Sequence, residues 1–215
     1  MIKLIIFDWD KTLYDSKELP REIFAEMFNK KGREAKAIEE FIAKTYGLPI
    51  YYGIKEVYKR FLKKNPTKKE IRKRMEEFYN IYLKKKKRLF PGCRELLKIL
   101  HKKYKIAIIS GHATKPLRKI VYNFLDKRSL DYVKGSPAYK STNIRFLMNK
   151  FKVKANEVVL VGDSLKDLEE ALKTGIYFIG IANDKKKREV MLSSGAHAVI
   201  KSLKELPNKI NMLGA

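Results

Sequence analysis

Residues 1–16 read MIKLIIFDWDKTLYDS. Ile2, Leu4, Ile5, Ile6 and Phe7 form an apolar run broken only by Lys3, the pattern of a strand buried on both faces of a parallel sheet. The run stops at Asp8, Trp9, Asp10, Lys11 and Thr12. Two carboxylates, two residues apart, therefore stand at the carboxyl end of a central strand. In open α/β sheets ligands bind along that edge. On its own the stretch also suits a polar loop whose acids are solvated or cap a turn, so the rest of the chain has to decide.

Two textures follow. Residues 16–88 carry apolar residues three and four apart, which predicts four amphipathic helices with no strand between them. These run over Glu18–Lys31, Glu34–Tyr46, Ile54–Lys64 and from Thr67, as helix cap, to about Lys86. Gly32 is expected to end the first, and Tyr46 lies on the apolar face of the second. Between the second and third, Gly47–Gly53 reads as a loop broken by Pro49 and the glycines. From Leu89 strands and helices alternate. Strands are expected at Lys105–Ile109, Asp131–Lys134, Glu157–Val161, Tyr177–Ile181 and Ala198–Ile200. Helices are expected at Cys93–Lys103, Pro116–Lys127, Thr142–Lys152, Leu165–Lys173 and Lys185–Ser194, with a closing helix from Leu203. Repeated β–α units give a parallel, Rossmann-like sheet with helices on both faces. The division is a core of residues 1–15 and 89–215, with an inserted four-helix bundle at 16–88.

Three further strand ends carry polar residues. Lys105–Ile109 runs into Ser110, Gly111 and His112; Glu157–Val161 runs into Gly162, Asp163 and Ser164, with Asp167 four residues on. Lys134 or Lys140 lies between. A parallel sheet brings these ends to one edge. Four ionised carboxylates cannot crowd there without a counter-ion, because like charges raise each other's pKa. Mg²⁺, which binds a few carboxylates together with phosphate, resolves the conflict. The lysine and the amides after Ser110 then suit an anionic substrate.

These segments, FDWDKTL at Phe7–Leu13, IISG at Ile108–Gly111, a lysine, and VGDSLKD at Val161–Asp167, resemble in order the four motifs of the haloacid dehalogenase superfamily of phosphohydrolases. The inserted helices resemble that family's C1-type cap, as in its phosphoglycolate phosphatase-like members. The resemblance implies Asp8 as nucleophile, forming an aspartyl-phosphate, and Asp10 as general acid and base. It implies Mg²⁺ held by Asp8, Asp163 and the Asp10 main-chain carbonyl, with Asp167 in support. Thr12, Ser110, Gly111 and a lysine would bind the phosphoryl group. Lys140, at the start of a helix 23 residues before Asp163, is preferred, and Lys134 stays open because Ser141 replaces the proline often found there. Trp9 and Lys11 depart from the family, where a smaller apolar residue and glycine are usual. Substrate choice is expected to lie in the insertion, with Tyr51 and Tyr52 in its loop, and with His112. His101 and His197 read as surface or packing residues. Cys93 lies near a helix N-terminus, where a thiol pKa can fall, but filling the helix face is its expected role.

Composition sets bounds. With 45% hydrophobic residues the chain can bury a core and is not disordered. No membrane span or export signal is apparent and Cys93 is the single cysteine, so a reducing cytosol is the expected location. Against 49 Lys and Arg stand 24 Asp and Glu, a formal charge of +25. Such a field attracts phosphate esters, nucleic acids and acidic surfaces alike, and also suits a solvated Lys-rich surface. The basic excess extends to residues 15–88, with 22 basic and 11 acidic side chains. The expectation is a Mg²⁺-dependent phosphatase of a small phosphorylated metabolite, monomeric or homodimeric and not membrane-bound. A phosphomutase, or a phosphatase of nucleic-acid termini, is the alternative, and a non-catalytic binding module is a third class.

Overall fold

The computed structural model describes residues 1–17, 19–45, 48–85 and 87–213. Glu18, Tyr46, Gly47 and Lys86, named above as a helix start, an apolar face, a loop and a helix end, lie outside the described residues.

The first strand, β1 (Leu4–Asp8), is buried along its whole length. It pairs in parallel with β2 (Lys105–Ala113) on one side and β4 (Val158–Gly162) on the other. With β3 (Tyr132–Ser136), β5 (Tyr177–Ile181) and β6 (Ala198–Ile200) the sheet runs β3-β2-β1-β4-β5-β6, all parallel. The chain reverses direction across the sheet at β1, so the strand that carries Asp8 lies at the topological switch point. Alternate residues of β1 feed two cores. Ile5 and Phe7 pack on the side of α5 (Cys93–His101), α6 (Thr114–Phe124) and α10 (Leu206–Leu213). Leu4 and Ile6 face α7 (Lys140–Phe151), α8 (Leu165–Leu172) and α9 (Lys185–Ser193). Each such side chain, fully buried, contributes about 1.5–3 kcal/mol.

Between β1 and α5 stand α1 (Leu19–Met27), α2 (Gly32–Lys44), α3 (Ile50–Phe61) and α4 (Lys68–Lys84). Thr67 caps α4 through a reciprocal pair with Glu70, as its sequence predicts. Several boundaries differ from expectation: Gly32 does not end the first helix but opens α2, and α3 ends at Phe61, not Lys64. Helix α1 stops at Met27, not Lys31, because Asn29 takes φ +51°, a left-handed conformation that Asn tolerates. Helix α3 starts at Ile50, four residues early, so Tyr51 and Tyr52 are helical and not in a loop. Pro49 occupies its N-cap, where a missing N–H costs nothing. Gly53 is a packing residue, not a break, since a Cβ there would meet the Phe24 ring at 2.9 Å.

The two connections between insertion and core pair with one another. Asp15 N–H donates to the Arg88 carbonyl at 2.9 Å, and Phe90 N–H to that of Leu13 at 3.0 Å. No helix among the described residues is long and apolar enough to cross a membrane.

Candidate active site

Asp8 closes β1 with its side chain buried. Its Oδ1 accepts from Lys140 Nζ at 2.5 Å and its Oδ2 from the Thr12 hydroxyl at 3.4 Å. Lys140, first residue of α7 and only 4% exposed, also pairs with Asp167. Burial drives the Asp8 pKa well above the ordinary carboxylate range; Lys140 opposes the rise, and Asp167, Asp163 and Asp10 add to it. For Lys140 burial works the other way, but Asp167 and Asp8 overcome it and hold the ammonium protonated. Lys134 sits elsewhere, with its Nζ 3.8 Å from the centre of the Phe146 ring. Lys140 is thus the lysine placed among the carboxylates.

Asp163 follows β4 and meets Lys187 Nζ at 3.3 Å. Burial and the Asp167 charge push it up to about 6, against Lys187, Lys11 and Lys140. Asp167 belongs to the start of α8: its Oδ2 accepts from the Ser164 N–H at 3.1 Å and hydroxyl at 2.6 Å, while Ser164 Oγ accepts from its N–H. Gly162 lets Asp167 come this close, because a Cβ at 162 would stand 2.8 Å from the Asp167 Cβ. One oxygen each from Asp8, Asp163 and Asp167 lie within 4.8 Å of one another. This hard-oxygen set, crowded and buried enough to raise two of its pKa values, fits a divalent cation such as Mg²⁺.

Asp10 is turned away from that cluster. Its Oδ1 accepts from the Tyr82 hydroxyl at 2.9 Å, and its Oδ2 meets His112 Nε2 at 2.8 Å. Burial would raise its pKa, but His112 and then Tyr82 more than offset this and hold the carboxylate below its usual value. His112 owes its place to β2, which runs four residues beyond the expected end at Ile109, with a register shift against β3. It lies beneath the rings of Phe78, Tyr79 and Tyr82, the last with its centre 4.8 Å away. Ser110 Oγ accepts from the His112 N–H at 3.3 Å, and the Tyr79 hydroxyl from the Ala113 N–H at 2.6 Å. Gly111 has no room for a Cβ, which would strike the Leu48 carbonyl oxygen.

A cavity of about 70 Å³ lies where these groups meet, bounded by Asp8, Asp10, Ser110, Gly111, His112, Lys140, Asp163 and Asp167 from the core. The insertion closes it with Pro20, Phe24, Ile42, Thr45, Leu48, Pro49, Ile50 and Gly53. Tyr51 and Tyr52 are not among these; both are half-buried in the first turn of α3. Thr12 does not line the cavity either, and bears on it through Asp8. Lys11 takes φ +59° and borders the Asp163 side. Trp9 is fully buried and stacked on Tyr14 with ring centres 5.2 Å apart. Tyr79 and Tyr82 read from sequence as bundle core, since helical spacing does not distinguish a buried hydroxyl from a buried ring. Their being Tyr instead of Phe was the available signal.

A doubly flanked parallel sheet with acids at its switch-point edge defines an α/β protein with a ligand site at that edge. Residues 5–181 match the family model described as haloacid dehalogenase-like hydrolase, and the chain belongs to that family. Among curated proteins it is 27% identical to a phosphoglycolate phosphatase of Vibrio parahaemolyticus over 220 residues, covering 95% of this chain and 94% of that one. A phosphoglycolate phosphatase of Haemophilus influenzae is 27% identical over 123 residues, 53% of each chain, so that match spans about half of either protein. Among solved structures, a haloacid dehalogenase-like hydrolase of Streptococcus pneumoniae superposes with a TM-score of 0.71 at 20% identity, covering 97% and 98% of the two chains.

Proposed function

We propose that the chain is a Mg²⁺-dependent phosphatase of small phosphate monoesters, acting through a phosphoryl group transferred to Asp8, with residues 16–88 as its cap. The reading rests on one observation above all. Asp8, Lys140, Asp163 and Asp167, drawn from three separate stretches, meet in one buried cluster at the carboxyl edge of β1 and β4.

Each residue then has a task. Asp8 attacks phosphorus in line, and the ester oxygen leaves on the opposite side. Lys140 holds Asp8 in its attacking rotamer and supplies positive charge where phosphoryl oxygens gather. Ser110 and the Gly111 amide receive a further phosphoryl oxygen. Asp10 serves the departing oxygen and later takes a proton from the water that releases phosphate. A protonated Asp10 gives its proton to the departing oxygen, and the carboxylate this leaves, favoured by His112 and Tyr82, takes the proton back from the attacking water. Asp8, Asp163 and the Asp10 main-chain carbonyl would hold Mg²⁺, with Asp167 keeping Lys140 and the α8 N-terminus in place. When bound, the cation neutralises charge on the phosphoryl group beside the carboxylates.

Hydrolysis of a panel of phosphate monoesters, with Mg²⁺ and after exhaustive chelation, tests the reading. Activity should vanish without the metal, and Asp163→Ala should abolish it or demand far more Mg²⁺. Full activity after chelation would refute the metal assignment.

A further inference from the structure

The position of Asp10 fixes where the leaving group sits. In an in-line displacement the entering and leaving oxygens lie on opposite sides of phosphorus. With Asp8 entering, the leaving oxygen must lie beside Asp10. Asp10 borders the roofed cavity, whereas the two larger grooves nearby meet the site at Asp163 and do not reach Asp10. The leaving group therefore projects under the roof and not into those grooves.

That roof is apolar. Phe24, Ile42, Leu48, Pro49 and Ile50 face the cavity from the insertion, with Thr45 as the polar exception. Among the described residues the insertion contributes no lysine, arginine or histidine to it. On the core side of the cavity Lys140 is already paired with Asp8 and Asp167, and His112 Nε2 is hydrogen-bonded to Asp10. A second anionic group on the substrate would be buried there without a partner, at a cost of several kcal/mol. The roof also sits low, with the Leu48 carbonyl directly over Gly111 and a cavity of only about 70 Å³. Basic side chains near the site, among them Lys11, Arg21, Lys44, Lys166, Lys186 and Lys187, line a groove on the Asp163 side. None of them lines the roofed cavity into which the leaving group projects.

We infer that this enzyme selects phosphate esters of short, uncharged, predominantly apolar alcohols, and discriminates against a carboxylate on the leaving group. The inference rests on the phosphatase reading above. It separates this chain from what the names of its curated relatives say they act on, since glycolate carries a carboxylate.

The test compares isobutyl phosphate with 2-phosphoglycolate, which differs by a carboxylate in place of an isopropyl group of similar shape. With full-length wild-type protein and Mg²⁺, kcat/KM should favour isobutyl phosphate by at least ~10-fold, the scale on which an unpaired group is rejected. Binding of both esters to Asp8→Asn protein, followed by calorimetry, should show the same order without turnover. Equal or preferred handling of 2-phosphoglycolate in both measurements would overturn the inference while leaving the phosphatase reading intact. If neither ester is hydrolysed but a bulkier one is, in an Asp8-dependent manner, the small apolar site is refuted and the phosphatase again stands. Loss of all Asp8-dependent hydrolysis would instead refute the phosphatase reading, and the inference with it.

Discussion

In the proposed mechanism Asp10 acts at both ends of the reaction. Both of its oxygens are occupied, one by the Tyr82 hydroxyl at 2.9 Å and one by His112 Nε2 at 2.8 Å. A hydrogen bond to a charged group is worth about 1.5–3 kcal/mol. Tyr82→Phe should therefore lower kcat by roughly 10- to 100-fold with KM little changed, since the loss falls on the step that Asp10 serves. An unchanged kcat would show that the hydroxyl only fills space. Cys93 illustrates the opposite outcome for a titratable group. A helix N-terminus lowers a thiol pKa, yet burial, with Glu95 adding to it, pushes this one up to about 12. At pH 8 the thiolate fraction is then about 10⁻⁴, so alkylation of the folded protein should be negligible and should rise about tenfold per pH unit. Rapid labelling at pH 8 would contradict the buried placement. Asp8 and Asp163 were legible from the sequence because each ends an apolar run. Tyr82 was not, because its partner lies 72 residues away and its spacing is that of any core ring.

At the scale of elements, the site depends on two departures from simple patterning. Strand β2 continues through Ser110, Gly111 and His112 to Ala113, although no apolar run marks those residues. Helix α3 begins at Ile50, because a proline that reads as a break serves as a cap. Together they bring the Leu48–Pro49 segment onto Gly111. Glycine is required there by the approach of the Leu48 carbonyl, not by a special φ. Gly111→Ala should force the roof away, at the ~1–3 kcal/mol typical of overpacking. The expected result is a kcat/KM lower by about tenfold or more with a modest fall in melting temperature. Unaltered kinetics would mean that the roof does not touch the working site. The strand positions and the αβ alternation were readable because buried parallel strands are continuous apolar runs. The boundaries around Asn29 and Pro49 were not, because each is settled by a local backbone conformation.

Across the whole molecule, two helices tie the insertion to the core. Helix α4 sends Tyr79 to the Ala113 amide and Tyr82 to Asp10, while α3 meets β2 beneath the Leu48–Pro49 segment. The paired linkers at Leu13–Asp15 and Arg88–Phe90 lie at the base of this arrangement. Closing the roof over the acids removes water and strengthens the charges that act on a phosphoryl group. The formal charge of +25 is a property of the surface as a whole, and near the site it gathers in the two grooves that meet Asp163. The most direct test asks whether phosphoryl transfer passes through Asp8. Protein mixed with a turned-over ester and Mg²⁺ is quenched in acid within one turnover, digested and weighed peptide by peptide. A phosphoryl group should appear on the peptide containing Asp8, and Asp8→Asn should lack it and keep less than about 1% of wild-type kcat, a loss above ~2.7 kcal/mol. Turnover without that labelled peptide, and retained in Asp8→Asn, would contradict the account.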